Sequence, residues 1–338
     1  MNAPDAIAVV NPGPILLTES GAGTDRTKRL GGSDIAALMG LSKWSTPLQL
    51  WEKKTGRFVE VITRQKQKLF DRGHRWEQPA FEMLVDELEA RGHKVVLVGS
   101  SRRYRDPIHE FLECEIDREI LLDGELVNVE IKSVHVFAAA EWGEGDTDEI
   151  PIYYGTQVMH GLGITQRRLT VVGALFGADV IVPYFVTRDD ETINVLRERA
   201  IDFWSFVLSD IAPDPINMED MMRLFARRNG KPADVDEDTA LALADLANIR
   251  TQIKTFEGNE EELKFKVCDG IRRAWGLLPE TEPEDNAVIR FNGLEIGSWK
   301  KQSRNTIDSK ALRDKYPVIA EEVTKESHTR VLKTKKLK

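Results

Sequence analysis

The sequence predicts a mixed α/β (α+β) fold: a central mixed sheet flanked by helices, with a small α+β accessory region after it. Three observations carry this expectation. Residues 113–133 read as a β-hairpin about Asp123-Gly124. Residues 168–187 read as a second hairpin about Gly177-Ala178. Around them the patterns run helices, strands, helix, strands, helix, the order of a sheet with helices packed on it.

Residues 1–24 are small, apolar and Gly/Pro-containing, without periodicity, and are expected to be a disordered tail. Residues 33–40 suggest a short helix with Ser33 as N-cap and Gly40 as its stop. Gly31 and Gly32 precede it and would let a ligand approach the backbone. With Arg26 and Arg29 nearby, this helix start is a candidate anion site, although a capped helix after a turn explains the same residues. Thr46-Pro47 opens a second helix that closes at Gly56. A long helical pattern covers 66–91. Gly73 and Pro79 bracket Glu77, which predicts a helix start or kink there, with Glu77 in a first turn favoured by the helix dipole. Residues 94–98 read as a strand leading to a basic loop.

In the central hairpin, Leu112, Cys114 and Ile116 alternate with Glu113, Glu115 and Asp117, and Val127, Val129 and Ile131 alternate with Asn128, Glu130 and Lys132. A two-residue Asp-Gly turn sets a register that places Asp117 opposite Glu130 and Glu115 opposite Lys132. Opposed carboxylates repel. A hard divalent cation would offset that repulsion, and Lys132, on the face of Glu130, could hold or deprotonate a water. A solvated sheet face with Lys132 paired to Glu115 fits the same residues.

Pro151 opens a helix over 152–161. There Gln157 neighbours Tyr153 and Tyr154, and His160 reads as a structural hydrogen-bonder. Residues 189–208 form an amphipathic helix with Val195, Ile201, Phe203, Trp204 and Val207 as its buried side. The prolines of 210–215 mark a boundary. Beyond it, 238–256 and 259–275 suggest a helical hairpin, and 288–300 a β-hairpin about Asn292-Gly293. Residues 307–325 read as a helix, and 329–336 as a strand in a basic tail. The expected organisation is a tail (1–24), a main domain (25–212) and an accessory region (213–338).

The 338 residues carry a net charge of −9 and two cysteines in no paired spacing, which argues against zinc, iron–sulfur and disulfide scaffolds. No apolar run approaches the roughly 18 residues a bilayer span needs, and no basic–apolar–small leader opens the chain. A cytoplasmic protein is expected. Basic residues cluster at 26–29, 53–75, 102–105, 223–228 and from 300 on, and such local patches bind phosphates whatever the net charge.

An Asp, a spacer and then Glu130-Ile131-Lys132 match the D…(D/E)-x-K pattern of restriction-endonuclease-like nucleases. Together with RLGGSDIAALMG, TPLQLWEKKTGR, RGHRWEQPA and IPIYYGTQVMHGLGIT, in that family's order, the chain resembles the YqaJ viral recombinase family, phage-type exonucleases related to lambda exonuclease and RecE. The resemblance implies a restriction-endonuclease-like core and a phage- or prophage-encoded Mg²⁺-dependent nuclease, with Mn²⁺ able to substitute. It would degrade double-stranded DNA from the 5′ end and leave 3′ overhangs for recombination by strand annealing. Carried over by motif, Asp117, Glu130, the Ile131 carbonyl and Glu77 would bind metal, Lys132 would position the attacking water, and Gln157 would orient the site. Arg26 or Arg29 with Ser33 would hold the 5′-phosphate. A RecT-like annealing protein is the implied partner, and a homo-oligomeric ring the implied assembly. An endonuclease of the same fold and an inactive DNA-binding module are the alternatives. One departure is visible: the glycine usual after the metal-binding aspartate is Arg118 here.

Overall fold

The computed structural model describes residues 13–18, 25–58, 63–226, 233–276, 286–300 and 304–324. The chain divides into two compact units, Met1–Arg228 and Asn229–Lys338.

The first unit is built on a six-stranded sheet in sequential order: β1 (Ile15–Thr18), β2 (Val95–Arg105), β3 (Glu113–Leu122), β4 (Glu125–Val134), β5 (Leu169–Phe176) and β6 (Val180–Thr187). All neighbours are antiparallel except β4 and β5. A parallel pair needs a crossover, and α4 (Ile152–Thr165) lies within it. The Asp-Gly turn forms as expected: Asp123 and Gly124 have φ of 53° and 91°, and Leu122 pairs with Glu125.

One face of the sheet is covered by α3 (Arg64–Ala90), whose Phe81, Leu84 and Leu88 pack on Ile120, Val127, Val129 and Val171. Over the other face lie α1 (Gly32–Leu38), α2 (Pro47–Lys54), α4 and α5 (Asp190–Leu208), buried against Tyr104, Cys114, Ile116 and Val172. In α5 the buried side is Ile193, Leu196, Ala200 and Phe203, while Val195 faces solvent, a shift from the expected stripe.

Several expectations are corrected. Ile15–Thr18, expected in a disordered tail, is an edge strand whose Ile15 and Leu16 pair with Arg105 and Tyr104; the rest of 1–24, apart from Gly13 and Pro14, lies outside the described residues. The basic loop after 94–98 is the continuation of β2, because Arg103 and Arg105 find Glu113 on the neighbouring strand. Residues 73–79 do not start a separate helix: α3 runs through Pro79, and Glu77 is mid-helix. Packing of the following turns onto the sheet outweighs the lost N–H of one proline.

The unit boundary falls after α6 (Met218–Ala226), beyond the proline segment, because buried Asp220 accepts a 2.7 Å hydrogen bond from Thr46 Oγ1 at the start of α2.

In the second unit, Glu237–Trp275 is one 39-residue helix, α7, where a helical hairpin was expected. Gly258 costs only about 1 kcal/mol in a helix interior, too little to break two long flanking segments. β7 (Asn286–Phe291) and β8 (Leu294–Lys300) form the expected hairpin. The expected helix over 307–325 is two, α8 (Ser309–Lys315) and α9 (Pro317–Val323), since Pro317 opens a new N-terminus. The expected strand at 329–336 lies outside the described residues. Among the described residues no helix is long and apolar enough to cross a membrane.

Candidate active site

The site lies where β3 and β4 part. Their ladder runs from Leu122–Glu125 to Arg118–Val129 and ends there. Asp117 and Glu130 therefore do not form the rung expected from the turn register. Instead Asp117 Oδ2 accepts the Ile131 backbone N–H at 2.8 Å, replacing the carbonyl that a continued ladder would supply. β3 also reverses its facing at this point. Ile116 packs with α1 and α2 residues and lies beside Gly161 of α4, whereas Arg118, two residues on, reaches Glu77 and Gln78 of α3. Strict alternation would put both on one face. Asp117 thus sits in the fork and lines a cleft on each side.

Glu130 is buried, and one of its oxygens carries two bonds: Lys132 Nζ donates to Oε2 at 2.9 Å, and Gln157 Nε2 donates to the same atom at 2.9 Å. Lys132 also donates to Gln157 Oε1 at 3.4 Å. Among the described residues Lys132 pairs with Glu130 rather than with Glu115, the partner of the alternative solvated-face reading. Gln157 is brought in by α4, and α1 lies directly on it: a Cβ on Gly32 would meet Gln157 Cγ at 2.9 Å. This is a physical reason for the glycine there.

Burial first, then the Glu130 charge, pushes Asp117 up to about 7, against the opposing pull of Lys132 and the Ile131 N–H. Burial disfavours the Lys132 ammonium, but the Glu130 and Asp117 carboxylates outweigh it and raise its pKa above the ordinary lysine value.

Glu77 reaches the same place from α3. Arg118 Nη1 donates to Glu77 Oε1 at 2.5 Å and to its neighbour's carbonyl, Asp117 O, at 2.6 Å, while Nη2 donates to Gln78 Oε1 at 3.0 Å. The guanidinium also lies over the Phe81 ring. The arginine that departs from the family pattern is therefore a buried counter-ion for the third acid. Glu77, Asp117, Ile131 and Lys132 line a cleft of about 420 Å³.

The opposite cleft, about 390 Å³, is lined by Arg26, Arg29, Ser33, Asp117 and Gln157. Ser33 is not the N-cap of α1. Gly31 holds that position, with its N–H bonded to Asp34 Oδ2 at 3.0 Å, so Ser33 lies within the first turn and accepts from Arg26 Nη2 at 3.3 Å. Arg29 is committed to buried Glu113 at 2.6 Å. The loop is stapled by Lys54, whose ammonium donates to the Arg26 and Arg29 carbonyls and to Asp34 at 2.6–2.8 Å.

Residues 24–168 match the YqaJ-like viral recombinase domain. Over 318 residues the chain is 29% identical to the uncharacterized protein YqaJ of Bacillus subtilis (strain 168), covering 90% of this chain and 91% of that one. Among solved structures it is similar to the alkaline exonuclease LHK-Exo of Laribacter hongkongensis, also crystallised with dAMP (17% identity, 60% of this chain, 95% of that chain, TM-score 0.41). A phage-related exonuclease of Haemophilus somnus 129PT is similar at 14% identity over 54% of this chain and 96% of that chain, with a TM-score of 0.32.

The donor set at the fork fits a hard cation. Among the described residues no three His, Cys, Asp or Glu side chains converge on one point. The fork nevertheless brings two repelling carboxylates together, and Asp117 Oδ1 and Glu130 Oε1 each lack a hydrogen-bond partner among the described residues. Oxygen donors with unspent lone pairs suit Mg²⁺. Glu77 presents one oxygen to Arg118 and is the weaker candidate.

Sequence reasoning missed the buried network behind the fork. Arg167 bonds Glu119 and Asn128, Tyr104 donates to Glu119 at 2.5 Å, and Asn128 donates to Thr165 of α4 at 3.1 Å. The alternation put Asn128 and its neighbours on a polar, solvated face. Only α4 and the arginine after it show that this face is covered. His160 behaves as expected, bonded to the Glu113 carbonyl at 3.0 Å.

Proposed function

We propose that this chain is a Mg²⁺-dependent, phage-type deoxyribonuclease that degrades duplex DNA in the 5′→3′ direction and leaves 3′ overhangs for strand annealing. The observation that carries this reading is the fork itself: Asp117, Glu130 and Lys132 meet at a point that opens into a cleft lined by Arg26 and Ser33. Asp117, Glu130 and the Ile131 carbonyl would hold the cation. When bound, Mg²⁺ supplies Lewis acidity toward a phosphate oxygen and acidifies water.

The chain's own residues do the rest. Lys132, kept charged by its two carboxylate neighbours, donates hydrogen bonds to a phosphate oxygen or a water beside the fork. Gln157 fixes the rotamers of Glu130 and Lys132 together. Arg26 and Ser33 offer an anion seat for a terminal phosphate, a task for which Arg29 is less free because of Glu113. A seat beside the hydrolytic centre favours removal of nucleotides from a 5′ end. A RecT-like annealing protein and a ring of subunits are the partner and assembly this reading implies.

The test is digestion of linear duplex with 5′-phosphate or 5′-hydroxyl ends, and of a closed circle, with Mg²⁺ or EDTA, for wild type and Lys132→Ala. The expected result is metal-dependent loss of the 5′-phosphorylated linear DNA alone, abolished by Lys132→Ala. Cleavage of the circle would make the protein an endonuclease on the same chemistry. Binding without cleavage would make it an inactive DNA-binding module.

A further inference from the structure

Trp44 stands in the loop between α1 and α2 with 67% of its surface exposed, a large aromatic left in water. Its ring is nonetheless held. Tyr153 of α4 meets it edge-on at 5.1 Å and 84°, and Tyr154 lies 6.5 Å away. Tyr153 is fixed in turn, donating to Glu141 Oε2 at 2.6 Å, and Glu141 also pairs with Lys43, the residue before Trp44. At the other end of this group, Lys132 Nζ lies 5.3 Å from the centre of the Tyr154 ring. The aromatic group therefore runs outward from the lysine of the candidate active site.

A second path leads to the same ring. Trp44 lines a cleft of about 400 Å³ together with Arg26 and Ser33, and those two residues also line the cleft that holds Asp117 and Gln157. An exposed, prepositioned π-face thus stands beside a cationic and hydroxyl-bearing seat, one step from the carboxylate fork.

The geometry points to Trp44 as a stacking platform for an unpaired nucleobase of the strand that enters the fork. This rests on the nuclease reading above. A phosphodiester held at Asp117 and Lys132 must leave the duplex axis, so the attached bases lose their stacking partners. An aromatic face replaces that stacking without regard to sequence, because every base has a π-face, while cationic side chains track the backbone. Arg26 supplies the cation and Trp44 the face.

The experiment is an anisotropy titration, without divalent cation, of a 5′-phosphorylated duplex that carries a short unpaired 5′ tail. A matching duplex has abasic residues in the tail. Wild type, Trp44→Ala and Trp44→Phe are compared, with thermal unfolding to show that each variant is folded. Trp44→Ala is expected to weaken binding of the normal tail about tenfold, within the range that stacking supports. Trp44→Phe should keep most of the affinity, and the abasic tail should erase the difference between wild type and Trp44→Ala. Equal loss on both tails, or no loss, would overturn the platform. The underlying reading fails separately: a wild type that neither binds nor cleaves duplex with Mg²⁺ removes both, whereas a cleaving wild type indifferent to Trp44→Ala removes only this proposal.

Discussion

Arg118 Nη1 lies 2.5 Å from Glu77 Oε1, joining the strand of the metal-ligand candidate Asp117 to the helix that covers it. The arginine is buried and Glu77 only partly so, and Arg118 Nε has no partner of its own. Removing one member of a buried pair leaves an uncompensated charge. Arg118→Ala is expected to destabilise the first unit by about 2–3 kcal/mol in urea unfolding, below the full buried-pair cost because Glu77 meets solvent. Adding Glu77→Gln should recover about 1 kcal/mol. Additive losses would mean that the two side chains are not coupled.

The raised Asp117 pKa, about 7, sets a pH dependence. Below that value the folded protein holds a proton on Asp117, and a cation must displace it. Mg²⁺ affinity measured by calorimetry is therefore expected to fall as pH drops through 7, by up to about tenfold per unit, with nuclease activity falling in parallel. An affinity that stays level from pH 8 to 5.5 would contradict the ligand role of Asp117.

His160 works in the opposite direction on stability. Burial pushes it down to about 4, while the Glu113 carbonyl accepts its Nε2–H. In the unfolded chain a histidine takes a proton below about 6.5. Between these values the unfolded state binds more protons, so stability is lost as pH falls from about 6.5 toward 4, by about 3 kcal/mol in total. His160→Gln should be less stable at pH 8 yet show a shallower decline over that window. The comparison between variants separates this effect from Asp117, whose raised pKa opposes it in the same range.

Gly32→Ala tests the contact between α1 and α4. The new methyl group would come within 2.9 Å of Gln157 Cγ and must push that side chain from Glu130 and Lys132. The expected outcome is a fall in kcat close to that of Gln157→Ala, with unfolding free energy changed by only about 1–2 kcal/mol. A fully active Gly32→Ala would show that Gln157 orients nothing.

Local pattern determined a good part of this protein. Alternation marked β3 and β4, Asp123-Gly124 fixed their turn, Thr46-Pro47 opened α2, and Asn292-Gly293 closed the β7–β8 hairpin, because each signal depends on neighbours within a few residues. The candidate residues Asp117, Glu130, Lys132 and Gln157 were also legible, since their types and order carry the family pattern, and the fold brings them together. Tertiary structure decided how they meet. The turn register extrapolated along one ladder, but β4 leaves β3 at Val129 to run beside β5, so the opposed pair became a fork with Asp117 bonded across it. The role of Arg118 lay equally out of reach, because its partner is 41 residues away on a helix whose mid-course proline reads locally as a break. The seat of Trp44 depends on a tyrosine pair from α4, more than a hundred residues on. Period and turn chemistry act over one or two residues, whereas charge pairing, coverage of a sheet face and ring contacts depend on which distant segments the folded chain brings into reach.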